Sequence, residues 1–413
     1  MSLRPAFALL LTLLLTSCSR DTTPTAAPWA GSYRAVLTLP GGELPFGLEL
    51  AEESGRPLAT LVNGAERIRV PEVLVQGSQF TLSMPGFNNQ IVARYADGTL
   101  EGTLTMVKTG GRNQAIPLKA TRGKDYRFFA DALPAGGDVA GRWATTFTDD
   151  EGTSYIAVGE FQQRGHIVTG TFLTGTGDHR YLAGELREGQ LFLSSFNGGQ
   201  VYLYHATLAA DGGLAGDYWS GLRSHERFVA RRDETATLGD TTSVTAMRDP
   251  QARFDFTFPD VTGQAVSLSD ERFRGKVVVV TLAGSWCPNC HDEAAFLAPY
   301  YREHRDEGLA VFGLMFEQFD DLANASKAVR RFQLKYDIGF PLLIAGVTSD
   351  DDPEKKLPQL NSVYAYPTTI FIDRKGKVRR IHTGFSGPAT GIHYTELTRE
   401  FDQVIRELLA EKG

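Results

Sequence analysis

No segment constrains the chain more than residues 276–285, KVVVVTLAGS. A strand with one wet face alternates apolar and polar residues. Four consecutive valines backed by Thr281 and Leu282 instead fit a central strand buried on both faces. Such a strand needs covering structure on each side, so it predicts an α/β domain with a largely parallel sheet. The sequence behind it agrees. Trp286 and the pair Cys287-Pro288-Asn289-Cys290 stand at the strand's carboxyl end. CHDEAAFLAPYYREHR then has helical spacing, with Ala294, Leu297 and Tyr301 on one face and Ala295 and Ala298 alongside. Strand LAVFGLMF, helix DDLANASKAVRRFQLKY, strand FPLLIAG, the acidic loop TSDDDPEKK and a short helix before Tyr364 come next. Strands TTIFIDR and KVRRIHTG flank the turn Lys375-Gly376, and the amphipathic helix YTELTREFDQVIRELLAEK follows. This domain is expected over residues 253–413.

The cysteine pair therefore sits where a strand turns into a helix. A helix start presents unpaired N–H groups and positive dipole, and both favour thiolate over thiol. Cys287, at the exposed helix start, is the candidate nucleophile. Cys290 lies one turn further in, placed to resolve a mixed disulfide. Pro288 suits the first helical position, where its missing N–H would have been unpaired anyway, and it denies the Cys287 sulfur one donor. Glu293 falls on the same side of the helix as Cys290. His291 reads as an exposed first-turn residue that tunes the thiolate modestly, and Glu317 as a solvated strand end and the weaker acid–base candidate. Cys287-Pro288-Asn289-Cys290-His291 also satisfies C-x-x-C-H, the haem-attachment pattern. Haem would consume both sulfurs, and a site behind a buried strand suits it badly, so a haem electron carrier is the remote alternative. Zinc needs about four ligands and no Cys/His cluster complements the pair, so no metal is expected.

Three motifs together carry a family resemblance: WCPNC, YPTTIFIDRKGKV some eighty residues later, and the insertion FEQFDDLANASKAVRRFQLKYDIGFPLLI between them. From about Phe254 onward the chain resembles the TlpA/ResA-like branch of the thioredoxin-fold disulfide reductases. The resemblance implies a thioredoxin fold and a thiol–disulfide oxidoreductase that reduces disulfide-containing proteins and is recharged by an upstream thiol donor. No cofactor is implied beyond the Cys287–Cys290 disulfide itself. It also implies a cis Tyr366–Pro367 bond, with Tyr366, Pro367 and Thr368 beside the sulfurs, and an active-site neighbourhood of Trp286, Pro288, Asn289 and His291. In this family an acidic residue at the position of Glu293 serves the resolving thiol. The chain departs from thioredoxin itself, which has a buried acid where Thr281 stands here; Glu293 is left as the nearest candidate base. It departs from the peroxiredoxins too, with Gly284 where that family has threonine.

Residues 29–232 have another texture. SYRAVLTL, QFTLSM, QIVARY, IVTGTFL and GQVYLYHATL alternate apolar and polar residues between turn signals such as Asn63-Gly64, Asp97-Gly98 and Asp211-Gly212, so this half is all-β. It also reads as duplicated: Gln79, Leu82, Ser83, Asn88 and Gln90 recur in order as Gln190, Leu193, Ser194, Asn197 and Gln200, and ADGTLEG recurs as ADGGLAG. Two barrel-like units, 29–125 and 138–232, are expected, followed by a linker or strap over 233–252. A second functional reading makes this half a binding module for a glycan, lipid or protein, with the redox domain as accessory.

At the N-terminus, Arg4 precedes a short apolar run, Ala6 to Leu15, that ends Leu15-Thr16-Ser17-Cys18. The run is too short to cross a bilayer core of roughly 30 Å, so residues 1–17 read as a signal peptide. The ending resembles a bacterial lipobox. That implies a lipidated Cys18, a tether over 18–28 and, with Ser19 next, anchoring to the outer membrane facing the periplasm. Of three cysteines, only Cys287 and Cys290 then remain for chemistry. The net charge of −7 and the absence of any run of clustered Lys and Arg exclude a nucleic-acid partner.

Overall fold

The computed structural model describes residues 27–131, 133–239, 244–348 and 352–412. The signal peptide and Cys18 lie outside the described residues.

The first β unit runs β1 (Gly31–Leu39), β2 (Gly42–Glu53), β3 (Arg56–Asn63), β4 (Glu66–Val70), β5 (Val73–Gln76), β6 (Gln79–Ser83), β7 (Gln90–Ala96), β8 (Thr99–Met106) and β9 (Gln114–Arg122). The second runs β10 (Gly141–Asp149), β11 (Ser154–Arg164), β12 (Ile167–Thr174), β13 (Gly177–Asp178), β14 (Leu182–Arg187), β15 (Gln190–Phe196), β16 (Val201–Leu208), β17 (Leu214–Ser220) and β18 (Ser224–Arg232). All pairings are antiparallel. The first sheet is ordered β4-β3-β2-β1-β9-β8-β7-β6-β5, and the second keeps the same scheme around β10 and β18. Gln79 and Gln190, matched in the sequence, each open the equivalent strand, β6 and β15. The turn signals act locally: Asp97 and Gly98 both take positive φ, 47° and 77°, as a two-residue hairpin between right-twisted strands requires.

The units differ in closure. In the second, β11 pairs with β12 and β12 with β14, so eight strands form a closed ring without free edges. The first stays open between β4 and β5, where Pro71 interrupts the chain. Aromatic rings fill the closed unit: Phe147, Phe172, Tyr204 and Phe228 are buried, with Tyr204 stacked on Tyr218 at 4.6 Å. The open unit completes its core from its neighbour. Phe196, Val201 and Leu203 of the second unit belong to the first unit's core, and Phe196 meets Phe46 at 4.7 Å. The strap holds both halves of the chain. Its Ala236 packs on Val158 and Leu173, and further on Arg248 donates to the Gln359 carbonyl at 2.8 Å.

The C-terminal domain opens with the hairpin β19 (Thr257–Pro259) and β20 (Ala265–Ser267). It continues with β21 (Val277–Ala283), α1 (Pro288–His304), β22 (Leu309–Glu317), α2 (Leu322–Tyr336), β23 (Leu342–Val347), α3 (Asp352–Lys356), β24 (Thr368–Ile372), β25 (Val378–Thr383) and α4 (Ile392–Ala410). The sheet order is β23-β22-β21-β24-β25. Every residue of β21 is buried. Val277 and Val279 face α1, α2 and α4, whereas Val278 and Val280 face Phe254, Phe256 and Leu360. The sheet is mixed rather than largely parallel, because β24 and β25 are joined by the tight Lys375-Gly376 turn, and a turn that short joins only antiparallel strands. On α1, Ala294, Leu297 and Ala298 are buried as the spacing predicts, but Ala295 is exposed.

Phe196 is fully buried between the two β units. Phe196→Ala should therefore cost about 3–5 kcal/mol. Urea unfolding followed by far-UV circular dichroism should show an earlier transition of both β units.

Candidate active site

The site begins at the turn after β21. A Cβ on Gly284 would come within 2.3 Å of the Trp286 ring and 2.8 Å of the Phe316 carbonyl, so only glycine fits where Trp286 Nε1 donates to that carbonyl at 2.9 Å. Ser285 ties the turn down by donating from its N–H and hydroxyl to Glu317, at 2.8 and 2.7 Å. Glu317 is thus no solvated strand end: it is fully buried, and burial lifts its carboxyl to about 7.

Cys287 is the N-cap of α1. Its sulfur accepts the N–H of Cys290 at 3.3 Å, Pro288 follows at the first helical position, and the thiol donates to the Tyr366 carbonyl at 3.4 Å. Both thiols are free. The Tyr366–Pro367 bond is cis, and Thr368, buried behind it, donates to the Ala365 carbonyl at 2.8 Å. Trp286 meets Tyr366 edge-on at 5.8 Å. Burial, then the hydrogen bond and charge of Cys287, push the Cys290 thiol well up, and the charge of Glu293 adds to this.

Glu293 lies inside the domain, 1% exposed. The hydroxyls of Thr281 and Thr369 both donate to its carboxyl group. Burial outweighs those two bonds and raises the carboxyl to about 7. Thr281, at the strand position where thioredoxin has its acid, thus orients an acid delivered from the helix.

His291 is buried rather than exposed. Its Nε2 donates to the Ser285 carbonyl at 2.8 Å, while Nδ1 faces the Tyr336 hydroxyl at 2.9 Å and Lys335 Nζ at 3.2 Å. Burial and the charge of Lys335 hold its pKa well below the usual value, so the ring stays neutral. Phe87 of the first β unit stacks on it at 4.0 Å.

That stack is part of a larger cover. Asn289, inside the C-x-x-C motif, donates to Asp178 at 3.2 Å and to the Phe385 carbonyl at 3.1 Å. Asp292 pairs with Arg180, which also pairs with Glu66 at 2.6 Å. Cys287, expected at an exposed helix start, is 4% exposed, and the β half packs on its neighbours Asn289, His291 and Asp292. Nothing in the sequence marked Asp178, Arg180 or Asp292 beyond their charge. Beside the cover an open cleft of about 870 Å³ brings Arg67 and Arg69 of β4 opposite Lys327, Arg331 and Lys335 of α2. This cation cluster, which no run of sequence reveals, is assembled from two distant segments.

The model of the AhpC/TSA family matches residues 251–381. The chain is 31% identical over 140 residues to the thioredoxin-like protein YneN of Bacillus subtilis, a span of 33% of this chain and 73% of YneN. It is 26% identical over 130 residues to the thiol–disulfide oxidoreductase ResA of Bacillus subtilis, covering 32% of this chain and 64% of ResA. Among solved structures, a thioredoxin-family thiol:disulfide interchange protein from Chlorobium tepidum aligns with 19% identity and a TM-score of 0.30, over 40% of this chain and all of that one. The chain belongs, through its C-terminal domain, to the thioredoxin-like proteins of this family. It is a thiol–disulfide oxidoreductase.

The raised carboxyl of Glu293 has a consequence for stability. Its pKa is about 7 in the fold against 4.5 when free, so the protonated acid stabilises the fold below pH 4.5 and that stability is lost as pH rises through 7. Glu293→Gln should flatten this slope. Between pH 5 and 8 its thermal midpoint should change less than the parent's, though not vanish as a trend, because Glu317 titrates in the same sense.

Proposed function

We propose that Cys287 and Cys290 are the reacting dithiol and that the enzyme reduces protein disulfides. The observation that carries this reading is the cap: the first sulfur holds the helix N-terminus through the Cys290 amide, and the charge of a buried acid, Glu293, acts on the second thiol. The Cys287 thiolate attacks one sulfur of a substrate disulfide, forming a mixed disulfide and expelling the other sulfur as thiolate. Cys290 loses its proton to the Glu293 carboxylate and attacks Cys287, which releases the second substrate thiol. Two electrons pass to the substrate, the enzyme is left as the Cys287–Cys290 disulfide, and an upstream dithiol returns the electrons. Glu293 suits its part because its carboxyl, at about 7, can both take and return a proton near neutral pH. The cis-Pro loop supplies Tyr366, Pro367 and Thr368 beside the sulfur.

In the same proposal the protein is extracytoplasmic, tethered by lipid on Cys18 to the outer membrane and facing the periplasm. The lipobox-like ending of the apolar run supports this reading. No helix among the described residues is long and apolar enough to cross a membrane. The β half acts here as a partner of the redox domain, since its closed unit is filled with its own aromatic side chains.

Insulin reduction in the presence of dithiothreitol tests the chemistry. Cys287→Ser should abolish turnover, and Cys290→Ser should accumulate a mixed disulfide visible by mass. Turnover that survives Cys287→Ser would overturn the assignment. Glu293→Gln should lower kcat by roughly 10²–10⁴-fold, the usual worth of a general base, and remove the rise in rate through about pH 7 while leaving KM nearly unchanged.

A further inference from the structure

The dithiol is shut in by a segment from the other half of the chain. Between β12 and β14, residues 175–180 pack against Asn289, Asp292, Gly384 and Gly387 around the dithiol. A Cβ on Gly384 would approach the Thr176 backbone to 3.0 Å, one on Gly177 would lie 2.5 Å from the Asn289 amide, and one on Gly387 would lie 2.3 Å from Asp292. Asp178 accepts the Gly387 N–H at 2.6 Å and the Asn289 amide at 3.2 Å. Arg180 reaches past them to Asp292 and Glu66. One cation thereby ties three pieces together: the helix that carries the cysteines, the second β unit and the first.

The chemistry of this contact is that of a latch. It is made of hydrogen bonds and ion pairs, the pattern of domain interfaces that open, rather than of apolar side chains. A protein disulfide must bring its own backbone up to Cys287 and the Tyr366–Thr368 loop, and the segment fills the approach to Asn289 and Gly384.

We propose that residues 176–180 form a specificity gate for the dithiol, held shut by Arg180 on Asp292 and Glu66, which excludes folded proteins from Cys287 until it swings aside. The proposal rests on the reading of Cys287 as nucleophile. Two states of one contact, biased by whatever competes for it, are sufficient for such a gate.

The test is the rate at which Cys287 is modified in the reduced full chain, located by peptide mass mapping. A bulky polyethylene-glycol maleimide is compared with iodoacetamide. Arg180→Ala should raise the rate with the bulky reagent by roughly 5- to 150-fold, the size of ordinary coupling between sites, and the rate with iodoacetamide by less. Arg180→Ala leaves Asp292 and Glu66 without their cation. Gly387→Ala therefore serves as a second opening: its φ of −76° tolerates alanine, and it wedges the contact without removing a charge. Circular dichroism verifies that each variant is folded. The gate is overturned if the parent reacts with the bulky reagent as fast as either variant, or if neither folded variant changes that rate. Faster modification without any insulin reduction would keep the gate and sink the redox reading. Insulin reduction by the parent at the variants' rate would do the reverse.

Discussion

The N–H of Cys290 belongs to the first turn of α1 and has no helical acceptor, and the sulfur of Cys287 takes that place. Much of the C-terminal domain follows from this cap. It needs Cys287 in an extended conformation just before the helix, with φ of −91° and ψ of 114°, which Pro288 reinforces from the first helical position. It needs the preceding turn to be rigid, and Ser285 on Glu317 together with Trp286 on Phe316 make it so. It needs a strand that cannot slip, and β21 is buried over its whole length on both faces. The sequence order of strand, turn, cysteine and helix is therefore one mechanical unit.

Burial then sets the chemistry of the carboxyls around this unit. Glu293 and Glu317 are both wholly enclosed and both lifted to about 7, yet they are arranged for different ends. Glu317 accepts the N–H and hydroxyl of Ser285 and the N–H of Gln318, which makes it a fastener. Glu293 accepts from two hydroxyls on different strands, Thr281 on β21 and Thr369 on β24. Hydroxyls can turn to donate or accept, so either charge state of Glu293 keeps its partners. That freedom suits a proton carrier, whereas an amide N–H such as that of Ser285 can only donate.

The C-terminal domain was legible because each of its signals is local. The valine run, the helical spacing behind it, the proline at the helix start and the Lys375-Gly376 turn each specify their own few residues. Strand alternation in the N-terminal half was legible for the same reason, and the matched Gln79 and Gln190 open matched strands. Charge and exposure at the site were not. His291, Glu317 and Cys287 read as solvent-facing in the sequence, and each is buried among residues of other elements: Phe87 stacks on His291, the turn after β21 bonds to Glu317, and Cys287 meets Tyr366 while the β half packs on its neighbour Asn289. Exposure is a property of tertiary packing, which periodicity within one element does not contain.

The duplication gains a meaning at this site that neither copy has alone. The equivalent turns of the two units, at Phe87 and at Asn197, meet one another: Asn89 donates to the Gly198 carbonyl at 2.8 Å, and a Cβ on Gly199 would strike the Phe87 ring. One turn thus props the other. Phe87, held in this way, is the side chain that stacks on His291, and Arg331 of α2 returns a bond to the Phe87 carbonyl at 3.1 Å. The second unit supplies Asp178 and Arg180 to the same helix, and the first supplies Glu66 to Arg180. The open first unit also draws Phe196 from the closed second one. Two β units that share core and turns both make contacts with the helix that carries the cysteines. The redox domain is accordingly clasped by the β half rather than tethered beside it.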